Sequence, residues 1–347
     1  MAKTDRNVGW PGFFRAFTVL CAIMLLLARS GQRAADLSAG TAQALSVYEG
    51  LTCWAVPALF LLWGMFALEE GKPGFSSVML TLALPTFLTL VFWGALYAVV
   101  AHLLGGGVLS WAGIWSALTA AARGETYFHL WILYPLIGLY LVHPVVQRFT
   151  SSASRGEVLY FLALCLLFAG LLPMWTAFRP HSAAAALLER LRVHLVLGWV
   201  GCYVAGWYLR HFEISRWAEF SLYILGVVGM ALTLMGNRLF GGGREVWQSY
   251  TAPNVVFTAV ALCTLFRYVL GISEERSRRR AVYELGTWSF GVYLFHQLWA
   301  LVFRWFGVTV LSLPAAVAVP FFALVFFLLS VPFAWLFSLI PGTGRYI

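Results

Sequence analysis

The chain has 347 residues, of which 61% are hydrophobic and only 11% charged, with a mean hydropathy of +0.81. A soluble domain carries about 25% charged residues, so this composition excludes a soluble globular fold. The net charge of +9 does not point to nucleic acid: only Lys3 and Lys72 are lysines, and the arginines are scattered over short loops. Scattered arginines of this kind are topology signals and lipid-headgroup anchors, so no nucleic-acid partner is expected and membrane lipids are.

Apolar runs predict an all-α, polytopic helical membrane bundle with about 10 transmembrane helices, forming a single domain over residues 1–347. The spans fall near 13–28, 51–68, 80–103, 129–147, 157–173, 192–210, 219–236, 253–272, 286–305 and 312–337. The first is short of the roughly 20 residues that cross a bilayer core. It has no small-residue cleavage site, so it is expected to stay as a membrane helix. Between the third and fourth spans, Leu109 to Ala121 is too short to cross and carries Trp111 and Trp115. That pattern suits an interfacial or re-entrant helix. Gly105-Gly106-Gly107 and Gly241-Gly242-Gly243 stand at span ends without the lysine or strand of a phosphate loop, and read as turns. Cys21, Cys53, Cys165, Cys202 and Cys263 lie within spans and have no metal-ligand spacing. They read as small buried residues; neither a metal nor a bound cofactor is expected.

Ten spans put both termini on one side. With the N-terminus in the cytoplasm, the inner loops collect twelve cations against eight outside, including the cluster Arg276, Arg278, Arg279 and Arg280. The bias predicts the cytoplasmic (inner) membrane with both termini cytoplasmic. The cluster serves either as an inner-face anchor or as a binder of cofactor phosphates. The apolar stretches are read as containing no aspartate or glutamate, with Glu157 and Glu219 at the edges of two spans. This argues against ion-coupled transport, which keeps a carboxylate in the bundle.

Polar groups inside lipid are costly and tend to be functional. Arg15 opens the first span, His129 the fourth, His194 lies early in the sixth and His296 in the middle of the ninth. Arg15 could be a snorkelling anchor, and His194 and His143 read as helix–helix hydrogen bonders. His129 and His296 sit in aromatic, polar-rich patches. There an imidazole, titrating near 6.5 when unperturbed, is suited to general-base work. Trp131, Tyr134 and Tyr293 flank them in sequence and are expected to line a polar cavity with them.

Four segments in order make the chain resemble the acyltransferase-3 family of integral membrane acyltransferases. They are Arg15-Ala16-Phe17; Val56-Pro57-Ala58-Leu59-Phe60-Leu61-Leu62-Trp63-Gly64; the run from His129-Leu130-Trp131 to Tyr140-Leu141; and Ser289-Phe290-Gly291-Val292-Tyr293-Leu294-Phe295-His296. The resemblance runs nearly end to end. It implies acyl transfer from cytosolic acyl-CoA to a hydroxyl of a cell-surface glycan, with Arg15 helping to hold the donor. It also implies a general-base histidine eleven positions after that arginine.

Here the chain departs from the family. Position 26 is Leu26, the first span has no histidine, and the serine usual before the second-span glycine is Trp63. Leucine accepts no proton, and a general base contributes about 10² to 10⁴ in rate. Two readings follow. Either His129 or His296 serves as base, or the chain is a catalytically degenerate partner or scaffold of polysaccharide-synthesis proteins.

Overall fold

The computed structural model describes residues 10–68, 75–107, 110–122, 127–270 and 280–339, and all regular structure among them is helical. In chain order the helices are α1 (Trp10–Gln32), α2 (Ala39–Ala67), α3 (Met79–Leu104), α4 (Trp111–Ala122), α5 (Phe128–Ser152) and α6 (Arg155–Phe178). They continue with α7 (Ala183–Leu191), α8 (Val193–His211), α9 (Arg216–Phe240), α10 (Pro253–Leu270), α11 (Arg280–Trp305) and α12 (Ala315–Ser338). Eight of these, all but α4, α7, α8 and α11, are long and apolar enough to cross a membrane. Helices α8 and α11, of 19 and 26 residues, occupy the two remaining expected positions. The short α4, with Trp111 and Trp115 exposed, stands where an interfacial segment is expected.

Helix α2 corrects the sequence reading. The apolar run from residue 51 is the second part of a 29-residue helix that begins at Ala39. The added residues carry Glu49 into it, and the side chain is buried, so the expectation of carboxylate-free spans does not hold. Gly40, Thr41, Gln43 and Ser46 dilute the hydropathy of this stretch without supplying a helix stop. Glu157 and Glu219 instead sit in first turns, where a carboxylate suits the helix dipole. Glu157 completes a capping box with Ser154. Glu219 accepts from the Tyr223 hydroxyl at 2.8 Å and pairs with Arg216 at 3.4 Å.

The chain divides into two compact units, each assembled from three segments. The first takes Met1–Leu25, Ser46–Lys72 and Val145–Gly286; the second takes Leu26–Leu45, Pro73–Pro144 and Thr287–Ile347.

In the first unit α2 and α8 meet backbone to backbone through a reciprocal pair of glycines. A Cβ on Gly64 would lie 1.7 Å from the Tyr203 carbonyl oxygen, and one on Gly206 would lie 1.8 Å from that of Leu61. Lipid gives helices little hydrophobic reason to associate, so close approach at small residues supplies the contact. Helices α9 and α10 follow the same rule: a Cβ on Gly229 would lie 2.4 Å from the Asn254 carbonyl oxygen. Asn254 fastens this pair: its Nδ2 donates to Thr233 Oγ1 at 2.8 Å and to the Trp247 carbonyl at 2.7 Å. Asn254→Ala is expected to destabilise the protein by about 1–3 kcal/mol, since the carbonyl loses its buried donor. Thermal unfolding in detergent checks this; an unshifted midpoint contradicts it. Behind α8 lies a mainly apolar chamber of about 540 Å³, lined by Gly198, Gly201, Cys202 and Ala205 and by Cys165 of α6, with Arg155 and Tyr208 also in its wall. All five cysteines are buried thiols outside any disulfide.

The second unit packs α3, α11 and α12 through aromatic rings, Trp93 lying edge-on to Phe295 at 4.6 Å and Phe295 near Phe333 and Phe337. Both glycine triplets form turns. Gly106 has φ +84°, and Gly241, Gly242 and Gly243 have φ +73°, +87° and +80°, a region other residues rarely adopt. Trp247 Nε1 donates to the Gly241 carbonyl at 2.8 Å and holds that turn closed.

Candidate active site

Helix α5 opens with a 3₁₀ turn, Phe128–Ile132, that buries His129, Leu130 and Ile132. His296 lies well inside α11, and both imidazoles are fully buried. The second unit brings them together: the ring centroids are 5.2 Å apart and the planes cross at 77°. Sequence spacing could not show this, because 167 positions separate them.

Two tyrosines fix the pair. Tyr293, one turn before His296, donates from its hydroxyl to the His129 backbone carbonyl at 2.7 Å. Tyr97 of α3 donates to the Leu294 carbonyl, and its ring lies 4.8 Å from that of His129. Tyr97 escaped the sequence reading, since a tyrosine in an apolar run carries no signal until the helices are assembled.

The state of His296 follows from its partner. Its Nδ1 lies 2.6 Å from the Tyr293 carbonyl oxygen. A carbonyl only accepts, so Nδ1 carries the proton and Nε2 presents a lone pair. Among the described residues that Nε2 has no hydrogen-bond partner, and neither ring nitrogen of His129 meets one in good geometry, the Leu294 backbone being its nearest polar neighbour. Buried polar atoms are seldom left so.

The other expected residues are placed as follows. Trp131 is half-buried, whereas Tyr134 lies on the exposed side of α5 at 49%. Five positions beyond His129, across a junction of 3₁₀ and α geometry, Tyr134 does not share its face. His143 is buried within α5. The side chains of His194 and Arg280, and the whole of Arg276, Arg278 and Arg279, lie outside the described residues. Leu26 is buried, an alkyl group where the sequence pattern calls for an imidazole.

Arg15 belongs to the first unit. Its guanidinium lies 4.8 Å from the centre of the Phe66 ring and donates to the Gly286 carbonyl at 3.4 Å. Arg210 of α8 approaches the same ring at 5.0 Å and donates to the Met65 carbonyl at 3.1 Å. Two half-buried arginines therefore meet at one aromatic side chain. Arg210 reads in sequence only as a loop cation at a span end.

A sequence model of the acyltransferase domain, acyltransferase-3, matches residues 10–339. The chain belongs to the acyltransferase-3 family. No curated protein and no solved structure matches it. The family match takes in Arg15, Phe66, Arg210, His129, Tyr293 and His296 together, and supports a membrane function of the O-acyltransferase type. Among the described residues no group of three histidines, cysteines or carboxylates could hold a metal ion.

Proposed function

We propose that this acyltransferase-3 protein moves an acyl group from acyl-CoA to a hydroxyl of a cell-surface glycan, with His296 or His129 as general base and Arg15 at the donor. The observation that carries this is the bare Nε2 of His296, whose tautomer is set by the Tyr293 carbonyl. In the step itself the acceptor oxygen attacks the thioester carbonyl carbon and its proton passes to that Nε2. The C–S bond breaks and the CoA thiolate leaves with the electron pair, taking up a proton in turn. Both rings lie enclosed, so catalysis in this scheme includes admission of one acceptor hydroxyl beside them. Tyr293 positions the pair and lines the acceptor side in this reading, with Trp131 and Tyr134 further along α5.

Arg15 and Arg210 suit a donor rich in phosphate, because guanidinium groups form charge-assisted pairs with phosphate oxygens. The loop arginines favour the cytoplasmic membrane with both termini inside, which exposes the N-terminal end of α1 to cytosolic acyl-CoA. Arg15→Ala is expected to weaken acyl-CoA binding to the purified protein by about 10-fold or more, and Arg210→Ala by a similar factor. Equilibrium binding of a labelled acyl-CoA checks both, and unchanged affinity in Arg15→Ala removes the donor assignment.

Leu26 supports a second reading, a non-catalytic membrane partner of polysaccharide-synthesis proteins. That reading expects co-purification with such a machine and no acyl-CoA binding by the wild type.

A further inference from the structure

Within the second unit, a pocket of about 300 Å³ lies between the C-terminal end of α1 and that of α11, lined by Ser30, Arg33, Arg304, Thr309 and apolar neighbours. The volume is at the small end for ligand sites. Two guanidinium groups line this one concavity, and no carboxylate pairs with either among the described residues. Arg33 lies over the Phe128 ring at 4.9 Å. Arg304 is near Tyr127: burial raises the Tyr127 hydroxyl above its ordinary range, and the Arg304 charge pulls it back. Both arginines are exposed, so solvent weakens their mutual repulsion, and an anion held between them would relieve what remains.

The recess is tied to the imidazole pair by chain connectivity. Three successive residues do this: Tyr127 feels Arg304, Phe128 carries Arg33, and His129 meets His296. Arg304 itself stands eight residues beyond His296 on α11, about 12 Å along the axis. Tyr127 also packs against Tyr97 at 4.8 Å, the ring that covers His129.

We infer that this pocket is an oxyanion subsite, and that the acceptor is an acidic saccharide whose phosphate or carboxylate is held between Arg33 and Arg304. Calling the ligand an acceptor rests on the acyl-transfer reading above; the anion subsite itself does not. Arginine suits the task because its planar fork binds two oxygens of a phosphate or carboxylate at once. Ser30 and Thr309 add hydroxyls to the wall for the sugar. A headgroup phosphate offers the same chemistry, so the test separates the two sources.

The experiment measures binding of radiolabelled glucose 6-phosphate, glucuronate and glucose to the full chain in phosphatidylcholine nanodiscs. Both acids are expected to bind and glucose not, and R33Q/R304Q is expected to weaken the acids about 10-fold or more. Should the double variant lose its folded elution profile, Arg33→Lys and Arg304→Lys replace it; they keep the charge and lose the fork. Equal binding of all three probes overturns the subsite, and if a glycan is still acylated the acyl-transfer reading stands without it. Arginine-dependent binding of the acids with no acyl transfer keeps the subsite and sinks that reading instead. Finally, phosphatidylglycerol is added to the discs. If it displaces glucose 6-phosphate and itself needs both arginines, the recess is a headgroup site and the acidic-acceptor assignment falls.

Discussion

His296→Ala is expected to reduce acyl transfer by about 10² to 10⁴, the range a general base supplies, while acyl-CoA still binds. The reason is chemical rather than steric. With Nδ1–H committed to the Tyr293 carbonyl, Nε2 is the nitrogen left to take a proton. Alanine removes it, and His296→Gln replaces it with an amide that is not basic at neutral pH. His129→Ala is expected to cost less, because that ring meets His296 edge-on and its loss disturbs the base without deleting it. Initial rates with labelled acyl-CoA, at matched protein levels and with donor binding measured beside them, decide the matter. If both alanine variants transfer at the wild-type rate, the imidazole pair is not the base and the non-catalytic reading gains.

A second large effect is expected far from the imidazoles. Gly206→Ala places a methyl 1.8 Å from the Leu61 carbonyl oxygen, and Gly64→Ala places one 1.7 Å from that of Tyr203. In each case the obstacle is backbone on the facing helix, which no rotamer change can clear. Helices α2 and α8 must separate, and overpacking of this kind costs up to about 3 kcal/mol or more. Either variant should give little folded protein, or a midpoint of thermal unfolding well below the wild type. Gly40→Ala is the control, since nothing lies within 4 Å of its added methyl. A Gly206→Ala protein as stable as that control would show that the two helices do not meet as described.

Hydrophobic length was the most legible quantity in the chain. Nine of the ten expected spans fall on helices whose ends differ only by a few residues, and α4 stands where a short tryptophan-bearing segment was expected. The exception, α2, shows the limit: hydropathy registers lipid compatibility, whereas a helix runs on through Ser, Thr and Gln until something stops it. Glu49 was missed for that reason. The glycine triplets were legible because a left-handed backbone is written in residue type. The chemistry was only half legible. His129 and His296 could each be singled out as an intramembrane imidazole. Their meeting, the tautomer set by Tyr293, the cover from Tyr97 and the convergence of Arg15 and Arg210 on Phe66 all depend on helix rotation, which no local pattern encodes. Tyr134 makes the same point in reverse, since it neighbours His129 in sequence and lies on the exposed side of α5.

Among the described residues three long helices carry wide turns: Met79–Ala83 opens α3, Leu166–Leu171 lies inside α6 and Phe266–Leu270 closes α10. Each is π-helical, a form that usually appears as a single turn inside an α-helix. Such a turn accommodates one residue more than an α-helical path of the same height. Deleting a single residue there, Leu82 for instance, would let the segment close into an ordinary helix while the helix on either side keeps its rotation. Natural length variation confined to these places would therefore be absorbed within the membrane, leaving both the inward-facing side chains and the loops untouched.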